Sequence, residues 1–270
     1  MPELPEVETT MRGIAAHLEG QRLSSVEVRR PDLRWPIAPD FRQRLEGATV
    51  ESVGRRAKYG LIHTSRDDTV ILHLGMSGRL RIAPEAIETH DHVVFSTDAV
   101  RIALNDPRRF GSLHIVRRDL LAEHPLIAAC GPEPLSDALT ADHLRDVLKS
   151  SRAPVKALLL DGRRIAGLGN IYVCEALFDA GIRPTRKGVR LTRAEMGRLA
   201  KAIPAVLVKA IEAGGSSLRD FAQPSGELGY FQHDFRVYGR EGEPCRTCGT
   251  PVRRIVQSAR SSFFCPTCQK

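Results

Sequence analysis

Four cysteines near the C-terminal end constrain what this chain can fold into more than any other feature. Cys245-Arg-Thr-Cys248 and Cys265-Pro-Thr-Cys268 are separated by sixteen residues. Two CxxC turns at that spacing present four sulfurs to one tetrahedral ion, and the segment between them can return as a hairpin. A tail this short cannot bury a core of its own, so a bound metal has to supply much of its folding free energy. Disulfides or a redox pair are the competing readings. The remaining cysteines, Cys130 and Cys174, lie in apolar surroundings and read as buried free thiols. The expectation is a reducing, cytoplasmic protein with one structural zinc ion.

With 270 residues, the chain has room for one large or two medium domains besides this tail. Residues 5–18 place Val7, Met11, Ile14 and Leu18 at spacings of four, three and four, one apolar face of a helix that Gly20 ends. From 23 to 116 the texture changes to short β-type runs, at 69–74, 79–82, 93–97, 100–104 and 112–116. Turn residues divide them, as in a sandwich or barrel. Pro132 and Pro134 mark the exit, and helical patterns follow at 139–148, 155–160, 171–180 and 193–213. A Gly/Ser/Pro-containing stretch at 214–229 reads as a mobile loop. The net charge of +8 and pI ≈ 9.5 favour a polyanionic partner, nucleic acid before an anionic membrane surface. No apolar run approaches the ~18–20 residues of a membrane span. The acidic N-terminus also lacks the basic-then-apolar pattern of a secretory signal.

That N-terminus, Met1-Pro2-Glu3-Leu4-Pro5-Glu6, carries its own chemistry. A small second residue permits removal of methionine, which would leave Pro2 as a secondary amine with carboxylates one and four residues away. An α-amino group titrates near ~7.7–8.0, so a good fraction is neutral and nucleophilic at cell pH. Attack on a sugar C1′ or an aldehyde gives an iminium, an electron sink. The bland alternative is a proline-flavoured helix start. Between the two cysteine pairs, Arg260 stands among small residues (Ser258, Ala259, Ser261) and is a better candidate to reach a ligand than Arg253 or Arg254, which suit a solvated face.

The opening Pro2-Glu3-Leu-Pro-Glu6-Val-Glu8-Thr, taken with the cysteine tail, resembles the bacterial formamidopyrimidine-DNA glycosylase family, and the resemblance runs along essentially the whole chain. It includes Arg55-Arg-Ala-Lys58-Tyr59, His73-Leu-Gly-Met76-Ser-Gly78, His90-Asp-His92 and Asp106-Pro-Arg108-Arg-Phe110-Gly111. Further on come Gly131-Pro-Glu-Pro-Leu135, Gly167-Leu-Gly-Asn170-Ile-Tyr172, Gly229-Tyr-Phe231 and Val237-Tyr-Gly-Arg240. The resemblance implies an α+β fold of two domains: an N-terminal helix with a β-sandwich, then a helix-two-turn-helix domain with a zinc-finger hairpin. The expected boundaries are 1–131, 132–235 and 236–270.

It also implies a bifunctional enzyme that excises oxidised purines from duplex DNA and cleaves the strand by successive β- and δ-elimination. Pro2 is then the nucleophile and Glu3 the general acid/base. Glu6 is an orienting partner or simply a first-turn acid favoured by the helix dipole. Lys58 assists the first elimination, although Arg55, Arg56 and Lys58 could equally line a phosphate path. Arg260 assists the second, chiefly by stabilising phosphate. Extrusion of the target base leaves a hole in the duplex, and the resemblance assigns Met76, Arg108 and Phe110 to fill it; without it, Met76 and Phe110 would read as core. His90, Lys156, Asn170 and Tyr238 are expected to contact DNA, with Arg152 taking the place of a basic residue where this chain has Ser151. The 216–230 segment corresponds to a loop that caps the extruded base. The chain is expected to act as a bacterial, nucleoid-associated monomer. The rival readings are an endonuclease VIII-type enzyme for oxidised pyrimidines and a non-catalytic damaged-DNA-binding protein.

Overall fold

A computed structural model describes residues 2–149, 151–217 and 223–270. They form two compact units: the described residues within 1–128 and 213–230, and those within 129–212 and 231–270. The first unit begins with helix α1 (Leu4–Leu18), whose Val7, Met11, Ile14 and Leu18 are buried as their spacing requires. Burying each such side chain is worth roughly 1.5–3 kcal/mol, so this face alone commits the helix to the core. Gly20, at φ 76°, follows its end.

The strands are β1 (Ser25–Val28), β2 (Val50–Arg56), β3 (Tyr59–Thr64), β4 (Asp68–His73), β5 (Arg79–Ile82), β6 (Asp91–Ser96), β7 (Arg101–Asn105) and β8 (Ser112–Arg117). They make two antiparallel four-stranded sheets, ordered β1-β6-β7-β5 and β2-β3-β4-β8. Short helices α2 (Phe41–Leu45) and α3 (Pro125–Ala128) complete this unit. One hydrophobic core draws on both sheets and α1, with Phe95, Ile102 and Leu104 from one sheet and Ile62, Val70 and Leu113 from the other. This is a sandwich with α1 packed on β2 and β3. Gly60 of β3 shows how closely: a Cβ there would come within 2.4 Å of Met11 Sδ.

The second unit holds α4 (Ala141–Lys149), α5 (Val155–Leu159), α6 (Asn170–Asp179), α7 (Arg193–Glu212) and the hairpin β9 (Arg253–Gln257) and β10 (Arg260–Phe264). Helix α6 is buried along nearly its whole length, and its Cys174 and Phe178 pack with Val237, Val252 and Phe263 around the cysteine tail. A run of ring contacts, Tyr172–Phe231–Phe235–Tyr238–Phe263, continues that packing into the hairpin. Cys174 is buried as expected, but Cys130 is only half-buried. No helix among the described residues is long and apolar enough to cross a membrane.

Candidate active site and nucleic-acid interface

Pro2 stands two residues ahead of the first residue of α1, and the way that helix starts explains how the acids beside it are held. Glu3 is the N-cap. Its carboxylate accepts from the backbone N–H of Glu6, while Glu6 Oε2 accepts from the N–H of Glu3 at 2.8 Å, a reciprocal capping box. Pro2 is buried, as are Glu3 and Glu6. Glu6 reaches further: its Oε1 accepts from the N–H of Ser216 at 2.9 Å. Ser216 pairs with Tyr230, and the N–H of Gly229 donates to Ser217 Oγ at 2.8 Å. Glu6 therefore ties the start of α1 to the root of the 216–230 segment, a contact that sequence could not show. The core of the expected capping loop, 218–222, lies outside the described residues, as do Met1, whose removal was expected, and Ser150. An amine flanked by fixed acids can attack an electrophilic carbon and exchange protons with its neighbour.

Lys58 is half-buried in the Ala57–Lys58 turn joining β2 to β3. Its neighbour Arg55 is not offered to a phosphate path, because its side chain is 8% exposed and bonded to Glu8 of α1.

Met76 lies in the turn after β4, and the Arg108–Phe110 loop follows β7. Gly75, at φ 63°, lets the two meet; a Cβ there would approach the carbonyl carbon of Phe110 to 2.3 Å. Asp106, fully buried, braces both. One carboxylate oxygen accepts from Ser77 Oγ at 2.7 Å and the other from the N–H of Gly111 at 2.8 Å. His92 Nε2 sits 2.9 Å from the Asp106 carbonyl oxygen. On the outside, the Arg108 guanidinium covers the Phe110 ring at 4.8 Å, and a cavity of about 510 Å³ opens between Leu33, Arg34, Arg108, Arg109 and Phe110. Phe110 is 44% exposed, Met76 half-buried and His90 exposed. An exposed aromatic under an arginine suits wedging into stacked bases. The sequence pointed to these tips but not to the Asp106 brace behind them.

In the second unit, Asn170 is the first residue of α6, and its Nδ2 donates to the Ser261 carbonyl at 3.0 Å. Lys156 departs from expectation. Rather than lining a phosphate path it is 1% exposed, and its ammonium donates to the Ser261 carbonyl at 2.8 Å and to Ser262 Oγ at 2.6 Å. A buried ammonium needs such partners, and here they come from β10. Arg260, exposed, opens β10 just after the two-residue Ser258-Ala259 turn, both residues left-handed at φ 49° and 59°. Tyr238 is half-buried, its ring edge-on to Phe263 at 5.0 Å. Arg152 is exposed, and Ser151 Oγ accepts from the N–H of Ala153 at 3.2 Å. Glu175, which sequence gave no reason to single out, accepts from the N–H groups of Arg236, Val237 and Tyr238 at 2.8, 3.1 and 2.8 Å. Burial pushes its carboxyl up, against the pull of those three donors.

The four cysteine sulfurs all lie within 4.8 Å of one another. Cys245 and Cys268 are 3.9 Å apart at sulfur, and Cys248 and Cys265 are 3.5 Å apart. A tetrahedral zinc with sulfurs at about 2.3 Å places them about 3.8 Å from each other, so the cage fits that ion. Knuckle amides point at the sulfurs as well: the N–H of Thr247 reaches Cys245 Sγ at 3.5 Å and that of Cys268 reaches Cys265 Sγ at 3.4 Å. Zinc bound there would stabilise the thiolates and hold the hairpin that carries Arg260.

Three family descriptions match the chain in order. The formamidopyrimidine-DNA glycosylase N-terminal domain matches residues 1–113, the corresponding H2TH domain 130–222, and a zinc finger found in FPG and IleRS 242–270. Proteins called formamidopyrimidine-DNA glycosylase from Rhizorhabdus wittichii and Novosphingobium aromaticivorans are each 58% identical over 271 residues, covering all of both chains. Among solved structures, the MutM (Fpg) protein of Thermus thermophilus is 43% identical with a TM-score of 0.90, over 99% of this chain and 98% of that one. The Lactococcus lactis Fpg in complex with DNA containing an abasic site is 34% identical with a TM-score of 0.92, over the full length of both.

Proposed function

We propose, for a chain that belongs to the formamidopyrimidine-DNA glycosylase family, that Pro2 excises oxidised purines from duplex DNA through a covalent Schiff base. Membership makes the protein a bifunctional DNA glycosylase and abasic-site lyase that repairs oxidised bases. The finer reading assigns roles. The nitrogen of Pro2 forms a bond to C1′ as the bond from C1′ to the damaged base breaks, and the base leaves with a proton. Glu3 protonates the ring oxygen as the sugar opens, giving the iminium. Loss of a C2′ proton, assisted by Lys58, expels the 3′ phosphate. A second elimination expels the 5′ phosphate, with Arg260 stabilising its charge. Met76, Arg108 and Phe110 fill the space left by the extruded base. His90, Arg152, Asn170 and Tyr238 contact the backbone, and Lys156 braces the hairpin. The working species is a monomer, and the labour is divided among residues 1–131, 132–235 and 236–270.

The observation that carries this reading is the capping box, which buries Glu3 and Glu6 beside Pro2 and fixes both acids through backbone bonds. Borohydride trapping on duplexes carrying 8-oxoguanine or thymine glycol tests it. The wild type should be trapped preferentially on 8-oxoguanine, and intact mass should show a chain beginning at Pro2. Pro2→Gly should lose trapping and base release by at least about a hundredfold while still binding lesion DNA. Preferential trapping on thymine glycol would move the protein to oxidised pyrimidines. Undiminished trapping by the variant would remove Pro2 as nucleophile.

A further inference from the structure

The turn that carries Lys58 is held from outside. Ala57 takes φ 55°, the left-handed region that favours glycine, and the two-residue turn has no glycine to relieve it. Arg55, the residue before the last of β2, supplies the hold. Its Nη1 donates to the Ala57 carbonyl at 2.8 Å, and its Nε donates to Glu8 Oε2 at 2.8 Å. Glu8 lies on α1, the helix capped by Glu3, and its other oxygen accepts from Arg12 Nε at 2.7 Å. Burial opposes ionisation of Glu8, but the hydrogen bonds and charges of Arg55 and Arg12 outweigh it and hold the carboxyl below the usual range. The pair is therefore charged at neutral pH. A planar guanidinium suits this task, because its fork fixes the direction of both bonds at once.

We propose that Glu8 and Arg55 are positioning residues that register the Lys58 turn against the Pro2-bearing end of α1. This rests on the reading of Lys58 as the group that assists the first elimination. A proton acceptor must stand within hydrogen-bond reach of its proton, and a misplacement of about 1 Å can cost about a hundredfold in rate. Lysine has a long flexible stem, so the backbone at its root is where registration can be imposed. The chain of bonds Glu8–Arg55–Ala57 imposes it, joining residues that are 47 and 2 positions apart.

Strand cleavage of a duplex with a preformed abasic site, followed under single-turnover conditions, tests this. Lys58→Met and Arg55→Met should each slow cleavage by about tenfold or more, and Arg55→Lys and Glu8→Gln should slow it by less. The Arg55 variants should release 8-oxoguanine within threefold of the wild-type rate. The double variant Arg55→Met with Lys58→Met should cleave no more slowly than Lys58→Met alone, because Arg55 acts through Lys58. A merely structural Arg55 would multiply the two losses and lower base release as well, which would overturn the proposal. Should Arg55→Met fail to fold, Arg55→Lys and Glu8→Gln carry the same comparison. Slow cleavage by Lys58→Met with wild-type rates in the Arg55 and Glu8 variants would overturn the positioning role. Normal cleavage by Lys58→Met would overturn the underlying reading of Lys58, and the proposal with it.

Discussion

Burying a lysine costs free energy unless its ammonium finds acceptors, and at Lys156 the acceptors are the Ser261 carbonyl and the Ser262 hydroxyl. Asn170 donates to the same carbonyl, so two side chains from the helical part of the second unit converge on the residue beside Arg260. A lysine in a basic, helical sequence context reads as a phosphate contact because residue type and local spacing carry no information on burial. Lys156→Met should cost about 1–3 kcal/mol, since it leaves Ser262 and part of the Ser261 carbonyl without a donor. The salt dependence of DNA binding should stay unchanged, whereas loss of a phosphate-contacting lysine would reduce the slope of log K against log salt by about 1. Urea unfolding and anisotropy titrations at several salt concentrations separate the two outcomes. Glu6 and Asp106 carry the same lesson. Their types were legible, but the backbone N–H groups they accept from were not.

Among the elements, α1 was readable almost to the residue, 5–18 expected against Leu4–Leu18 found, because an amphipathic face and a terminating glycine are local signals. The runs at 79–82 and 193–213 reappear as β5 and α7 with little change. Strands β1, β2 and β3 were not read individually: β1 alternates over only four residues, Glu51-Ser52 interrupts the period in β2, and the adjacent buried Leu61 and Ile62 do so in β3. The β4 end also shows how an element can control a functional turn. His73 Nδ1 lies 3.2 Å from the N–H of Gly75, and its ring packs on Tyr59 at 5.2 Å. Burial first, then the charge of Lys58, pushes His73 down to about 4 from its ordinary 6.5. The unfolded chain therefore binds the proton more readily. The stability due to neutral His73 is fully present above about pH 6.5 and is lost as the pH falls toward 4, by about 3 kcal/mol at 1.36 kcal/mol per unit. Urea unfolding at pH 7 and pH 4 should show this loss in the wild type and a flatter dependence in His73→Gln. An equal slope in the variant would place the loss on other groups.

At the scale of the whole molecule, the net charge of +8 and the family's DNA complexes point to binding dominated by phosphate neutralisation. The protein should sediment as a single 29.8 kDa species. Its affinity for undamaged duplex should fall by at least tenfold between about 50 and 200 mM salt; a salt-independent affinity would contradict the electrostatic assignment. The sequence by itself determined the four-cysteine cage that fits one zinc ion, the buried face of α1 and the order of β-rich and helical parts. Each of these depends on residue type and short spacing. Only the tertiary structure decided that Lys156 braces β10, that Asp106 locks two loop tips together, that Glu6 holds Ser216 and that Arg55 links Glu8 to the Lys58 turn. Those bonds join residues up to 210 positions apart, and which partners meet across such distances is set by how the sheets and helices pack rather than by any pattern along the chain.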